Sequence, residues 1–131
     1  MRLVFSGEPH ASLTAKLLSI QHSARQRFGT DLIDSVVGYT TLTLFFEPHN
    51  IERDRAAAWL QESADADTDE AFLAQLAARP IVVLPVWYHP SVAPDLEWLA
   101  EEKALSVDTV INLHSDLTYF AYATGFAPGF C

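Results

Sequence analysis

The chain has 131 residues, a formal net charge of −9, and hydrophobic side chains at half of its positions. This length and composition allow a buried core for one domain, with or without part of a second, and exclude a disordered chain. The eight Lys and Arg residues are few and dispersed, which argues against nucleic acid as a partner because phosphates must be met by clustered cations.

Neither a membrane span nor an export signal is expected from the sequence. No apolar run approaches the roughly 18 residues of a membrane-spanning helix, and the apolar part of residues 1–7 is too short for a signal peptide. The single cysteine, Cys131, cannot form an internal disulfide. A cytoplasmic protein without a membrane partner is therefore expected.

A short strand and a long helix open the chain. Residues 3–5 are strand-like, and residues 12–28 carry one apolar stripe at helical spacing. Gly29 follows where a glycine commonly ends a helix. The helix is expected to bury this stripe against a sheet, through Leu13, Leu17, Ile20 and Ala24.

Two further strands and a second helix complete the first part. Residues 31–37 and 39–46 are rich in β-branched and aromatic side chains. A helix is predicted over residues 51–64 and a further helical stretch over 69–78. The order β-α-β-β-α predicts an α+β domain over residues 1–79, with a small antiparallel sheet and helices on one face.

Pro80 marks the expected start of a second domain, residues 80–131. Residues 81–88 are strand-like, although Pro85 suits only an edge strand or a bulge. A helix is predicted over 94–103, a second one after an N-cap at Ser106, and a strand over 118–124.

The candidate functional residues lie near the end of the chain. His114 ends the apolar face of its helix, where it could be a core or capping histidine or a group that titrates near neutral pH. Tyr119 could pack in a core or line a site. The Gly/Pro/Phe segment suits either a tight barrel corner or a surface that stacks on a ligand or partner; it comprises Gly125, Phe126, Ala127, Pro128, Gly129 and Phe130.

These residues resemble a known family. His114-Ser115 with Tyr119 and the Gly-Phe-x-Pro-Gly-Phe segment are similar to the carboxyltransferase-type family that contains the B-type component of 5-oxoprolinase and allophanate hydrolase subunit 1. Further matches occur upstream in the same order, at Gly38-Tyr39, Leu84-Pro85-Val86-x-Tyr88, Pro94-Asp95-Leu96, Leu99-Ala100 and Leu105-Ser106.

The resemblance implies a fold and a set of site residues. Members of the family continue for about another domain and close a cyclophilin-like β-barrel, so residues 80–131 are expected to be its opening part and the chain a truncated one. His114 and Tyr119 are the implied catalytic residues. Implied substrate-binding residues are Asp95, Phe126, Pro128, Gly129 and Phe130, although Asp95 also suits the first turn of a helix through the helix dipole.

The implied function is that of a hydrolase subunit active only in a complex. With a C-type partner it would open the ring of 5-oxoproline to glutamate using ATP, or act as a related allophanate or urea carboxyltransferase-type amidohydrolase. The chain has no glycine-rich phosphate loop, so no cofactor is expected on it alone and ATP is expected for the complex. The histidine spacings predict no metal site. The alternative is a regulatory protein that inhibits a sensor histidine kinase, as one family member does.

Overall fold

The computed structural model describes residues 1–68 and 70–125. The chain divides into two compact units, one made of Met1–Arg79 with the segment that starts at Phe120, the other of Pro80–Tyr119. Because compact units within one chain need not be independent domains, the predicted domains 1–79 and 80–131 stay a prediction.

The first unit has the α+β organisation expected from the sequence. Its elements are a strand, a long helix with a short 3-10 turn, two strands and two helices: β1 (Arg2–Val4), α1 (Ala11–Phe28), the turn Gly29–Asp31, β2 (Leu32–Val37), β3 (Thr41–Phe46), α2 (Arg53–Asp65) and α3 (Glu70–Ala77). The predicted order β-α-β-β-α is confirmed, and with it the fold class.

The strands form an antiparallel sheet in the order β1-β3-β2. The register places Leu3 opposite Leu42 and Ser35 opposite Leu44. An irregularity between Leu32 and Asp34 interrupts the pairing at the start of β2. The central strand β3 thus has a partner on each side, and its alternating side chains can bury one face.

Helix α1 begins and ends at residues suited to those positions. The Nδ1 atom of His10 accepts a hydrogen bond from the backbone N–H of Leu13 at 3.2 Å, which satisfies one free donor of the first turn. Gly29 closes the helix with φ of 51°, a left-handed conformation that favours glycine. The predicted stripe is buried as expected, at Leu13, Leu17, Ile20 and Ala24.

The core of this unit joins α1, the inner face of β3 and α2. Leu42 and Leu44 are buried and belong to one cluster with Leu60 and the α1 stripe. At one end, the ring of Phe28 meets those of Phe46 and Trp59 edge to face, each with centroids 5.1 Å apart. Edge-to-face rings add to the stabilisation from apolar burial.

The second unit is built on two short helices, α4 (Leu96–Glu102) and α5 (Val107–Ser115). Ala100 of α4 is buried. The chain turns between the helices at Ala104, whose φ of 53° is left-handed. The N–H of Leu105 then donates to the carbonyl of Ala100 at 2.9 Å, which satisfies a helix-end acceptor.

Two sequence predictions for this part of the chain are wrong: residues 81–88 and 118–124 form no strand in the structure. The predicted helix over 94–103 is confirmed as α4, which begins at Leu96 and not at Pro94. A strand needs a hydrogen-bonded neighbour, and no described residue supplies one to either segment. The described residues therefore do not show the predicted opening of a barrel. The start of α4 is later because Asp95 takes the N-cap position.

Candidate functional site

Helix α5 carries His114 in its last turn, and a side chain predicted from the sequence caps its N-terminal end. The hydroxyl of Ser106 accepts a hydrogen bond from the backbone N–H of Thr109 at 3.1 Å, as the N-cap prediction requires. The carbonyl of His114 lies among the last four of the helix, which have no intrahelical partner. His114 therefore needs contacts from outside its own helix.

Tyr88 supplies the first of these contacts. Its phenol oxygen shares a hydrogen bond with Nδ1 of His114, and the two rings meet edge to face with centroids 5.8 Å apart. The phenol donates when the imidazole carries its proton on Nε2, which leaves Nε2–H directed away from this bond. The sequence prediction did not include Tyr88 among the site residues.

Tyr119 supplies the second contact. Its hydroxyl donates to the backbone carbonyl of His114 at 3.0 Å, and the rings of Tyr119 and His114 lie 5.6 Å apart. This bond satisfies one of the free carbonyls at the end of α5. Tyr119 thus fixes the backbone of the histidine, whereas Tyr88 fixes its ring.

The Tyr88–His114–Tyr119 cluster is open to solvent. Tyr88 is half-buried, His114 is exposed, and Tyr119 is 64 % exposed. Nε2 of His114 has no hydrogen-bond partner among the residues that the structure describes. A histidine held through Nδ1 with a free Nε2 can accept a proton from a bound molecule or give one to it.

An aromatic surface adjoins Tyr88 along the chain. The rings of Trp87 and His89 stack with centroids 5.2 Å apart and 25° between their planes. Trp87 is 68 % exposed. Nδ1 of His89 is engaged with the hydroxyl of Ser91 at 2.8 Å, so this histidine is held in a different way from His114.

Of the other predicted site residues, only Asp95 lies in the part of the chain that the structure describes, and it is not part of this cluster. Asp95 is exposed at the N-cap of α4, its side chain makes no capping hydrogen bond, and no described contact joins it to His114. The predicted positions Phe126, Pro128, Gly129 and Phe130 lie outside the described residues.

The structure also bears on metals and membranes. Among residues 1–68 and 70–125, no group of three or more His, Cys, Asp or Glu side chains is arranged to hold a metal ion. Within the same residues no helix is both long and apolar enough to cross a membrane.

The whole chain matches one family of known proteins. Over residues 1–131 the chain matches the carboxyltransferase domain, subdomain C and D, and it belongs to that family. The resemblance seen in the sequence is confirmed at this level.

Two relatives within the family are similar to this chain. The chain is 34% identical over 105 residues to the B-type component of 5-oxoprolinase from Bacillus subtilis, a match that covers 75% of this chain and 43% of the relative. It is 27% identical over 104 residues to the same component from Escherichia coli O157:H7, covering 76% of this chain and 44% of the relative. The chain therefore spans less than half the length of these relatives.

A solved structure shows the same fold. The crystal structure of TTHA0988 in space group P212121 superposes with a TM-score of 0.75 and 26% sequence identity, covering 98% of this chain and 24% of that one. The chain thus has the fold of one part of a longer protein.

Proposed function

We propose that the chain acts as the B-type component of a bacterial ATP-dependent 5-oxoprolinase, which opens the ring of 5-oxoproline to glutamate together with a C-type partner. The observation that carries this proposal is the 34% identity to the Bacillus subtilis 5-oxoprolinase component. The family match over the full chain supports it.

His114 is the proposed proton-transfer residue. Opening the lactam adds water across the amide bond, so that the carbonyl carbon gains the hydroxyl and the ring nitrogen gains a proton. Nε2 of His114, accessible and free of other described partners, carries a proton between water and that nitrogen. General acid–base transfer of this kind contributes about 10²–10⁴-fold to a rate.

Tyr88 and Tyr119 are proposed to position His114. The bond from Tyr88 to Nδ1 selects the ring orientation, and the bond from Tyr119 to the His114 carbonyl holds the end of α5. This assignment makes Tyr119 a positioning residue and not the catalytic residue expected from the sequence, because its hydroxyl already donates its proton to the His114 carbonyl. The proposed substrate-binding residues remain Asp95, Phe126, Pro128, Gly129 and Phe130.

A partner protein is part of the proposal for two reasons. The chain has no phosphate-binding loop, so the ATP used by the complex is assigned to the C-type partner. Residues 81–87 also expose a run of large apolar side chains, and an exposed run of this kind is typical of a surface that another protein covers.

The test is 5-oxoproline-dependent ATP hydrolysis by the chain co-expressed with a C-type partner. We expect turnover by the pair and none by either protein alone. Allophanate and urea serve as alternative substrates, and turnover of those compounds in place of 5-oxoproline would assign the related amidohydrolase activity instead. A pair that forms and turns over none of the three contradicts the proposal.

Variants of the pair then test the site. His114→Gln is expected to lower kcat about a hundredfold or more, as the loss of a general acid–base does, and Tyr88→Phe to lower it less and change the pH profile, because only the hydrogen bond to Nδ1 is lost. His89→Gln, an exposed histidine of the same unit, is the matched control and is expected to retain activity. Full activity in His114→Gln would remove the histidine from the reaction.

A further inference from the structure

The sheet of the first unit has one covered face and one open face. Helix α1 packs on the inner face, where Leu42 and Leu44 are buried. On the opposite side, here called the outer face, the large apolar side chains are between 47 % and 62 % exposed; they are Val4, Ile33, Val36 and Phe45. The solvated face of an antiparallel sheet commonly carries polar side chains, so these apolar side chains need an explanation.

The apolar side chains of the outer face are neighbours. Val36 in β2 lies opposite Thr43 of β3, two residues from Phe45 in the same strand, so Val36 and Phe45 are diagonal neighbours. Ile33, Asp34 and Phe45 line one shallow hollow. Apolar side chains that are exposed together are typical of a surface that another molecule covers.

The edges of the sheet are less suited to a partner than the outer face. The edge strand β2 carries the irregularity between Leu32 and Asp34, and an irregular edge disfavours pairing with a further strand. The carbonyl of Ser35 in β2 already accepts a hydrogen bond from Nε2 of Gln21 at 3.0 Å. The other edge strand, β1, has only three residues. A covering molecule is therefore expected on the face of the sheet.

Two opposite charges lie on the outer face without forming an ion pair. Arg2 lies opposite Thr43 in the pairing of β1 with β3. Asp34 lies opposite Phe45 in the pairing of β2 with β3, so the central strand separates the two charges. Both side chains are exposed, and within the part of the chain that the structure describes neither forms an ion pair. Oδ1 of Asp34 accepts a hydrogen bond from the backbone N–H of Ser35 at 2.7 Å, which leaves Oδ2 for a cation.

We infer that the outer face binds the same face of a second copy of this chain, in a two-fold symmetric dimer. A two-fold axis in the plane of the face, midway between Arg2 and Asp34, sets Arg2 of each copy against Asp34 of the other. Both ion pairs then form at once. By the register of the strands, Val36 and Phe45 lie close to this axis, so the apolar side chains of the two copies meet between the ion pairs.

The charge of the chain favours this face over the rest of the surface. At a net charge of −9, two copies repel each other overall. Within the three described strands the only charged residues are Arg2 and Asp34, so the outer face is neutral and complementary to itself. Such complementarity selects a partner and its orientation. The inference concerns the first unit alone and is independent of the proposed role of His114.

Analytical ultracentrifugation of the unaltered chain is the first test. We expect a dimer in concentration-dependent equilibrium with the monomer. Arg2→Glu and Asp34→Arg are each expected to raise the dissociation constant at least about tenfold, because like charges then face each other at both contacts. A chain that stays monomeric up to about 1 mM, or a dimer that neither change weakens, overturns the inference.

A mixture of the two charge variants makes the test specific to this geometry. When Arg2→Glu is mixed with Asp34→Arg, one contact joins the two introduced charges and the other joins the original Arg2 and Asp34. The mixture is therefore expected to dimerise although each variant alone does so weakly, and a mixture that associates no better than the separate variants overturns the inference.

A matched pair of valine variants separates the outer face from the other exposed apolar surface. Val36→Asp places a charge near the axis and is expected to abolish the dimer. Val83→Asp, in the exposed run of residues 81–87, is expected to leave the dimer unchanged. Loss of the dimer in Val83→Asp but not in Val36→Asp would assign the association to residues 81–87 and overturn the inference.

Discussion

The two units of the chain differ in how far they close around their own apolar residues. In the first unit Leu17 and Leu42 are completely buried. In the second, Val83 is 85 % exposed, and among its described hydrophobic residues only Ala100 is buried. The first unit therefore has its own buried core, whereas the second leaves most of its apolar side chains exposed.

The comparison also shows what a strand-like sequence requires. Thr41–Phe46 and residues 81–88 are both rich in β-branched and aromatic residues. The former is a central strand paired on both sides, and the latter has no described strand beside it and forms none itself. A high strand propensity means that a side chain fits a pleated, half-buried surface. It does not produce a strand unless a neighbouring strand is there to pair with.

The largest expected effect comes from emptying the core of the first unit. Leu17→Ala removes a fully buried side chain and should lower the free energy of unfolding by about 2–5 kcal/mol. Denaturant unfolding measures it. The matched control is Leu117→Ala at an exposed leucine, with an expected change within about 0.5 kcal/mol. Equal effects of both changes would remove the distinction between a closed core and an open surface.

The next test addresses a buried polar contact that ties α1 to β2. The hydroxyl of Ser35 accepts hydrogen bonds from Nε2 of Gln21 at 3.0 Å and Nε of Arg25 at 3.2 Å. Ser35→Ala leaves these donors with one acceptor fewer and should destabilise the chain by about 1–2 kcal/mol. Ser6→Ala at an exposed site is the control. An unchanged free energy of unfolding in Ser35→Ala would show that solvent replaces the contact.

Local capping should matter most in the second unit, which has little core. Ser106→Ala removes the N-cap of α5 and should cost about 1 kcal/mol, seen as faster hydrogen exchange of the first amides of that helix. Ser115→Ala, at the opposite end of the same helix, should have a smaller effect. Unchanged exchange in Ser106→Ala would mean that packing, and not the cap, holds α5.

The smallest expected effect is a gain in stability. Ala104 has a left-handed backbone, which disfavours residues with a Cβ atom. Ala104→Gly relieves this strain but makes the unfolded chain more flexible, so the net stabilisation is expected to be about 0.5 kcal/mol. Ala93→Gly, at a position without positive φ, serves as the control and should not stabilise. A loss of stability in Ala104→Gly would contradict the strain argument.

Much of the first unit could be predicted from the sequence because its signals are local. The stripe of α1 repeats every three or four residues, and the alternation of Leu42 and Leu44 in β3 needs no knowledge of distant residues. The predicted strands after Pro80 are wrong because pairing is not local. Their composition was suitable, but composition does not say which segment lies beside them.

The contacts of the candidate site also differ in how far they could be predicted from the sequence. His114 and Tyr119 are five residues apart, so a turn at the end of α5 is enough to join them. Tyr88 is 26 residues from His114 in sequence, and only the folded second unit brings the two together. The motif Leu84-Pro85-Val86-x-Tyr88 was the available signal, but it could not indicate which side chain the tyrosine contacts.

Hydrogen–deuterium exchange on the chain alone tests the central contrast most directly. Mass spectrometry of peptides compares β3 (Thr41–Phe46) with residues 81–87, because the two segments have similar side chains in opposite environments. We predict slow exchange in β3, whose amides are paired within a closed core, and exchange within seconds in residues 81–87. Protection of residues 81–87 equal to that of β3 would contradict this contrast between the two units.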